Sequence, residues 1–239
     1  LTKFFNIFLS VLLFWSFSAF AANDDVKVVT SELSPYSINV GLRPGFMIEV
    51  LFLIENRLGT HRLPHFYPWT RAQMLTQTKP NHIIFPLTRT PEREKLYDWL
   101  IDVAPIEYVF VTLNGEILTL EEAKKLRRIT VQQSTPFQQF LEREGFTNLI
   151  ITPNGAETHL RLLKSGRVQA WFTSKALAQY AVRDLKYVSK VKLSLPFKTS
   201  RVFFASSKKF PQDLKTAYQR IFSELVEDGT IDHILRQYR

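Results

Sequence analysis

The chain has 239 residues, 45% of them hydrophobic, enough to bury a substantial core in one two-lobed unit or two small domains. It has no cysteine, which excludes disulfides, zinc–thiolate sites, a thiol nucleophile and a lipid-modified cysteine at a leader cleavage site. The formal charge of +9 would suit nucleic acid, an anionic membrane face or anionic ligands.

Lys3, the apolar run Phe4–Phe20 and the Ala19-Phe20-Ala21 site read as a secretory leader over residues 1–21. A transmembrane anchor is the rival reading. The run ends in small residues and the acidic Asn23-Asp24-Asp25 with no basic stop-transfer cluster, so cleavage is favoured. No later stretch has the ~18 apolar residues a span needs. Loss of the leader leaves a charge of +8, and export removes most nucleic-acid partners, so none is expected.

Val26–Thr30 reads as a strand, followed by a Ser-Pro-Tyr-Ser turn and a loop from Gly41 to Gly45. Phe46–Leu58 has apolar residues at helical spacing and stops at Gly59. His61–Tyr67, interrupted by Pro64, reads as a strand, Trp69–Leu75 as a helix, and Ile83–Phe85 as a buried strand. Repeated strand-then-helix units predict a parallel sheet wound on both faces. Pro105 is expected to end this run.

Tyr108–Leu113 then reads as a strand, with a turn at Asn114-Gly115. Helices over Leu120–Lys125, Pro136–Glu144, Thr158–Leu163 and Lys175–Tyr180 alternate with strands over Arg128–Gln132, Leu149–Thr152 and Val168–Thr173. Val202–Ala205 returns as a strand before helices over Gln212–Val226 and Thr230–Tyr238. The densest basic run, Lys124-Lys125-Leu126-Arg127-Arg128, reads as a solvated helix end leading into a strand.

The chemistry concentrates in residues 86–99. Thr90 has the hydroxyl of an N-cap, and Pro91 suits the first helical turn. Thr88, Arg89 and Arg93 thus lie at or just past a strand's C-terminal end, where open α/β sheets place ligands. A guanidinium there offers two parallel donors to a carboxylate, and a hydroxyl and backbone N–H groups can complete the anion's shell. The alternative is a surface turn in which Arg93 bridges to Glu92, Glu94 or Asp98. Spacing alone leaves both open.

Thr88–Arg93 followed by Tyr97-Asp98-Trp99 resembles the Ser/Thr-x-Thr-x-x-Arg…Phe-Ser segment of family-three extracellular solute-binding proteins, the amino-acid receptors of ABC importers. Glu32–Ser37, Gly166–Ala170, and Glu227–Ile231 with Tyr238 are similar to other family segments in the same order. The resemblance implies a two-lobed type II periplasmic binding fold, α/β, each lobe a mostly parallel sheet flanked by helices. Lobe 1 would hold residues 22–107 and 196–239 and lobe 2 residues 108–195, with crossings near Ile106–Phe110 and Leu193–Phe197. It implies a periplasmic monomer, without cofactor or catalysis, that binds a small carboxylate-bearing solute for an inner-membrane ABC permease or a sensor.

By the same resemblance, Arg93 clamps the ligand carboxylate, Thr88 supplies a hydroxyl, and Ser134 or Thr135 a donor from lobe 2. The family's acidic partner for the ligand ammonium falls on neutral Ser174, its stacking aromatic on Leu33, and a usual glycine on Gln133. Glu32 could replace the missing charge, or be a solvated turn carboxylate. Tyr36 and Trp69 are candidates for the cleft wall or the core, whereas Trp171, inside an apolar strand, is expected in the core. Arg71 and Arg89 would make lobe 1 cationic. Enzyme signatures are weak: Pro64 breaks any helix aligning His61 with His65, and no Gly-x-Ser-x-Gly elbow or phosphate loop occurs. The alternatives are a dehydratase-like enzyme of the same fold, or an organic-acid receptor that ignores the amino group.

Overall fold

The computed structural model describes residues 25–113, 115, 117, 119–153, 155–184 and 191–238. The leader and Asn114 of the expected turn lie outside the described residues.

Strand β1 (Lys27–Thr30) leads through the 31–45 loop to helix α1 (Phe46–Arg57). That helix buries Phe46, Met47, Val50, Leu51 and Ile54. Gly45 starts it at φ +96, and a Cβ there would stand 2.7 Å from the Tyr36 carbonyl oxygen, so only glycine fits. Strand β2 (Pro64–Phe66), helix α2 (Trp69–Thr78) and strand β3 (His82–Thr88) follow. Successive β3 side chains serve opposite faces, Ile83 and Phe85 joining the main core and Ile84 and Leu87 a second cluster beneath α2. Both faces are covered, which is why the strand reads as a continuous apolar run.

A short 3-10 turn (Pro91–Arg93) leads into β4 (Asp98–Thr112), which runs straight through Pro105. The expected break is absent: residues 98–107 are paired on one side only, by β9, next to a register shift between Asp102 and Ala104, and a missing N–H costs little there. Then come α3 (Leu120–Lys124), β5 (Ile129–Gln132), α4 (Pro136–Arg143), β6 (Leu149–Thr152), α5 (Ala156–Lys164), β7 (Ala170–Ser174) and α6 (Lys175–Asp184). The chain returns through β8 (Lys192–Leu193) and β9 (Lys198–Ser206) to α7 (Gln212–Glu227) and α8 (Thr230–Gln237).

The strand order is β2-β1-β3-β9-β4-β7-β5-β6, with β8 beside β4. Neighbours in the β2-β1-β3 and β7-β5-β6 stretches are parallel, and the β4–β9 pair that joins them is antiparallel. Its pairing runs from Asp98 with Ser206 to Tyr108 with Lys198, after which β4 passes to β7 at Tyr108–Thr112. Two parallel α/β halves therefore hang on one two-stranded ribbon. Trp171 is 1% exposed and stacks on His159 in a satellite core behind β7.

Candidate functional site

Arg93 closes the 3-10 turn after β3 with its guanidinium directed inward, 4% exposed. Its nitrogens donate to the Thr88 carbonyl (3.1 Å), to Gln73 Oε1 (3.1 Å) and to the Ser134 carbonyl (3.2 Å). Each acidic residue that could have neutralised it locally is engaged elsewhere: Glu92 with Arg143, Glu94 with Arg89 and Asp98 with Lys208. Among the described residues Arg93 has no carboxylate within 4.0 Å, and burial holds its pKa below the usual arginine value.

The opposite wall follows the C-terminal ends of β5 and β7. Thr135 caps α4, its hydroxyl accepting from the Gln138 N–H (3.4 Å) and donating to the Gln132 carbonyl (2.7 Å). Ser134, at φ +58, gives its N–H to Gln138 Oε1 and turns its carbonyl towards Arg93. Its carbonyl therefore meets Arg93 as an acceptor, while its N–H is taken by Gln138. Ser174 Oγ, 1% exposed, accepts from the Tyr36 hydroxyl at 3.3 Å. Burial pushes the Tyr36 phenol up to about 12, so it stays a neutral donor.

Thr88, Arg93, Tyr36, Trp69, Thr135 and Ser174 line one cavity of about 30 Å³, with Leu33, Ile106, Phe137, Leu177 and Val202 as its apolar walls. That is room for a water or two. Three wider depressions border it along the seam between the halves. One of 350 Å³ lies beyond Arg93, one of 460 Å³ beyond Tyr36 and Ile106, and one of 600 Å³ beyond Leu33 and Leu177.

Two expected site residues face elsewhere. Glu32 accepts the Asn39 N–H (2.7 Å) and the Ser34 hydroxyl (3.4 Å) and borders the 600 Å³ depression, because Leu33, next along the chain, takes the inward position. Arg89 alternates with Thr88 on an extended segment and points out, bonding Glu94 at 2.5 and 2.8 Å and lying over Trp99. Arg71 lies over Tyr67, outside the cavity lining. Sequence reasoning overlooked Gln73, which holds both Arg93 and the Ser134 carbonyl. It stands one helical turn after Trp69, so the i,i+4 rule would have placed it on the same face.

The family model for bacterial extracellular solute-binding proteins, family 3, matches residues 26–239. The chain belongs to that family. Solved structures share the fold of this solute-binding protein. A mutant of ArgBP from T. maritima superposes with a TM-score of 0.79 at 19% identity, covering 89% of this chain and 94% of that one. A histidine kinase sensor domain with similarity to periplasmic binding proteins gives 0.80 at 15%, covering 90% and 96%. An ancestral amino acid-binding protein, a precursor of cyclohexadienyl dehydratase, gives 0.78 at 23%, covering 89% and 94%. No curated protein sequence matches significantly.

Proposed function

We propose that this solute-binding protein is a periplasmic receptor that closes on a small carboxylate-bearing solute, with Arg93 as the anchor of the anion. The observation that carries the reading is a buried guanidinium whose hydrogen bonds end on neutral oxygens. A buried charge without a counter-charge is costly, and a ligand carboxylate would supply one through paired, charge-assisted bonds. Thr88 and Thr135 bring hydroxyls from the two sides of the same cavity. Closure would be favoured because only the closed form makes both sets of contacts.

In this reading lobe 1 comprises residues 22–107 and 196–239 and lobe 2 residues 108–195, with the leader of residues 1–21 removed on export. The two lobes rock on the β4–β9 ribbon to admit a solute larger than the present cavity. The receptor acts as a monomer and reports its occupancy to an inner-membrane ABC permease or to a sensor.

Ser174 and the outward Glu32 favour a second, narrower reading, in which no carboxylate holds a ligand ammonium and an organic acid is the solute. The dehydratase alternative needs a proton donor beside a leaving hydroxyl. The titratable groups lining the cavity are Arg93 and Tyr36, both poor acids at neutral pH, which supports binding over catalysis.

The test is calorimetry with amino acids and with their deaminated analogues, on the wild type and Arg93→Ala. Binding of carboxylates that Arg93→Ala abolishes supports the anchor; unchanged affinity in a folded Arg93→Ala protein refutes it. Preference for the amine-free partner of a pair selects the organic-acid reading.

A further inference from the structure

The basic run at 124–128 reads in sequence as a solvated helix end, but the fold brings a second basic turn against it. Arg127 Nη2 donates to the Gly166 carbonyl (3.1 Å), the Arg128 N–H to Gln169 Oε1 (2.9 Å), and the Gln169 N–H to the Arg128 carbonyl (3.0 Å). The α3–β5 and α5–β7 turns are thereby stitched together just before β5 and β7 begin side by side at Ile129 and Ala170. Thr135 and Ser174 follow the other ends of those strands, so this pole lies about 15 Å from the ligand cavity.

Lys125, Arg127, Arg128 and Arg167 are all exposed there, and none has an ion pair among the described residues. Lys124 is paired with Glu121, and it and Lys164 sit in last helical turns, where the macrodipole accounts for a cation. Lys125 is the C-cap of α3, where the dipole still acts, but Arg127, Arg128 and Arg167 lie beyond the helix ends and need another account.

We propose that this pole is an electrostatic docking surface for an anionic phospholipid bilayer. The choice of partner rests on what the patch lacks as well as what it has. Protein interfaces carry an apolar and aromatic core. None of the exposed large hydrophobic residues falls in either turn. A surface dominated by long cationic side chains, with exposed Glu121 and Glu144 on its flanks, suits a plane of lipid phosphates, which it meets without geometric specificity. The proposal goes beyond solute binding and does not depend on which solute the cavity takes.

The test is sedimentation of the purified protein with vesicles of roughly one-third anionic lipid, at low and at high salt. The variant K125S/R127S/R128S/R167S is compared with K79S/K95S/K209S/R236S, which removes as many exposed cations from the β1–β3 half. The proposal predicts salt-sensitive binding that falls at least ~10-fold in the first variant and much less in the second. Equal loss in both would make the effect one of net charge and overturn it. So would binding to zwitterionic vesicles, survival in high salt, or no binding by the wild type at low salt. Capture of the wild type by an acidic protein but not by anionic vesicles would transfer the surface to a protein partner and also refute the bilayer reading. Thermal melts confirm that both variants fold.

Discussion

Two buried charges in the half built on β1–β3 are treated in opposite ways. Glu55 on α1 is 1% exposed and fully answered: Arg62 pairs with it at 3.0 Å, the Thr60 hydroxyl donates at 2.5 Å, and the Tyr218 phenol donates from α7. Arg93 is 4% exposed and answered only by two backbone carbonyls and an amide. Neutralisation inside the fold marks a charge that holds helices together. In the function proposed above, a charge left to neutral dipoles is the one held ready for a ligand.

The largest expected effect tests the first member of the pair. Glu55→Ala removes the counter-charge of Arg62 and an acceptor of the Tyr218 hydroxyl and should cost about 3–5 kcal/mol of stability, as breaking a buried pair does. Urea unfolding measures it, and carboxylate affinity should stay unchanged in the folded fraction. Trp171→Ala, which empties the satellite core, should cost a similar ~3–5 kcal/mol. Trp69→Ala, on the cavity wall, should instead weaken ligand binding more than it lowers the melting temperature.

Arg93→Ala inverts the pattern seen at Glu55. Affinity for a carboxylate ligand should fall by about 2–5 kcal/mol, at least ~20-fold. The ligand-free melt should move by less than about 1 kcal/mol, because the lost hydrogen bonds are offset by release of an unneutralised buried charge. A large stability loss in this variant would erase the contrast and make Arg93 a structural residue.

Smaller again is Tyr36→Phe, which deletes the hydroxyl contact with Ser174 and should cost about 0.5–1.5 kcal/mol. Alkaline titration gives the last comparison. Burial raises the Tyr36 phenol to about 12, and burial with the neighbouring Glu55 raises Tyr218 well above its ordinary value. Unfolded tyrosines titrate near pH ~10. Since the native state keeps protons the unfolded chain loses, this stability is complete below that pH and declines as pH rises beyond it. Tyr218→Phe should flatten the decline more than Tyr36→Phe does, as followed by fluorescence-detected unfolding.

The order of strands and helices was legible because the buried strands are short continuous apolar runs and the helices between them carry apolar residues at helical spacing. Lys198–Arg201 escaped because Lys-Thr-Ser-Arg looks like a loop; it is a strand because β4 offers it a ladder, which no local pattern reveals. Pro105 misled for the complementary reason, since the cost of a missing donor depends on which strand edge is open. That Thr88 and Arg93 stand together after β3, on one cavity, could be read from their place in the sequence. That Arg93 does not bridge to Glu92, Glu94 or Asp98 needed the tertiary partners of those three acids. Glu32 and Arg89 were drawn into the site by proximity along the chain, while alternation of side chains turned them away.

The position of β9 has a consequence for how the molecule is made. It lies between β3 and β4, yet it is the last strand to emerge during synthesis. The half containing β5, β6 and β7 has all three of those strands once residue 174 is out, so it can close early on local contacts. The half that begins the chain waits, with the edge of β3 uncovered, until residue 206 arrives. The strand order thus predicts that the inserted half sets first and that the half that starts the sequence is finished from its end, which pulse-labelling hydrogen exchange on refolding would check.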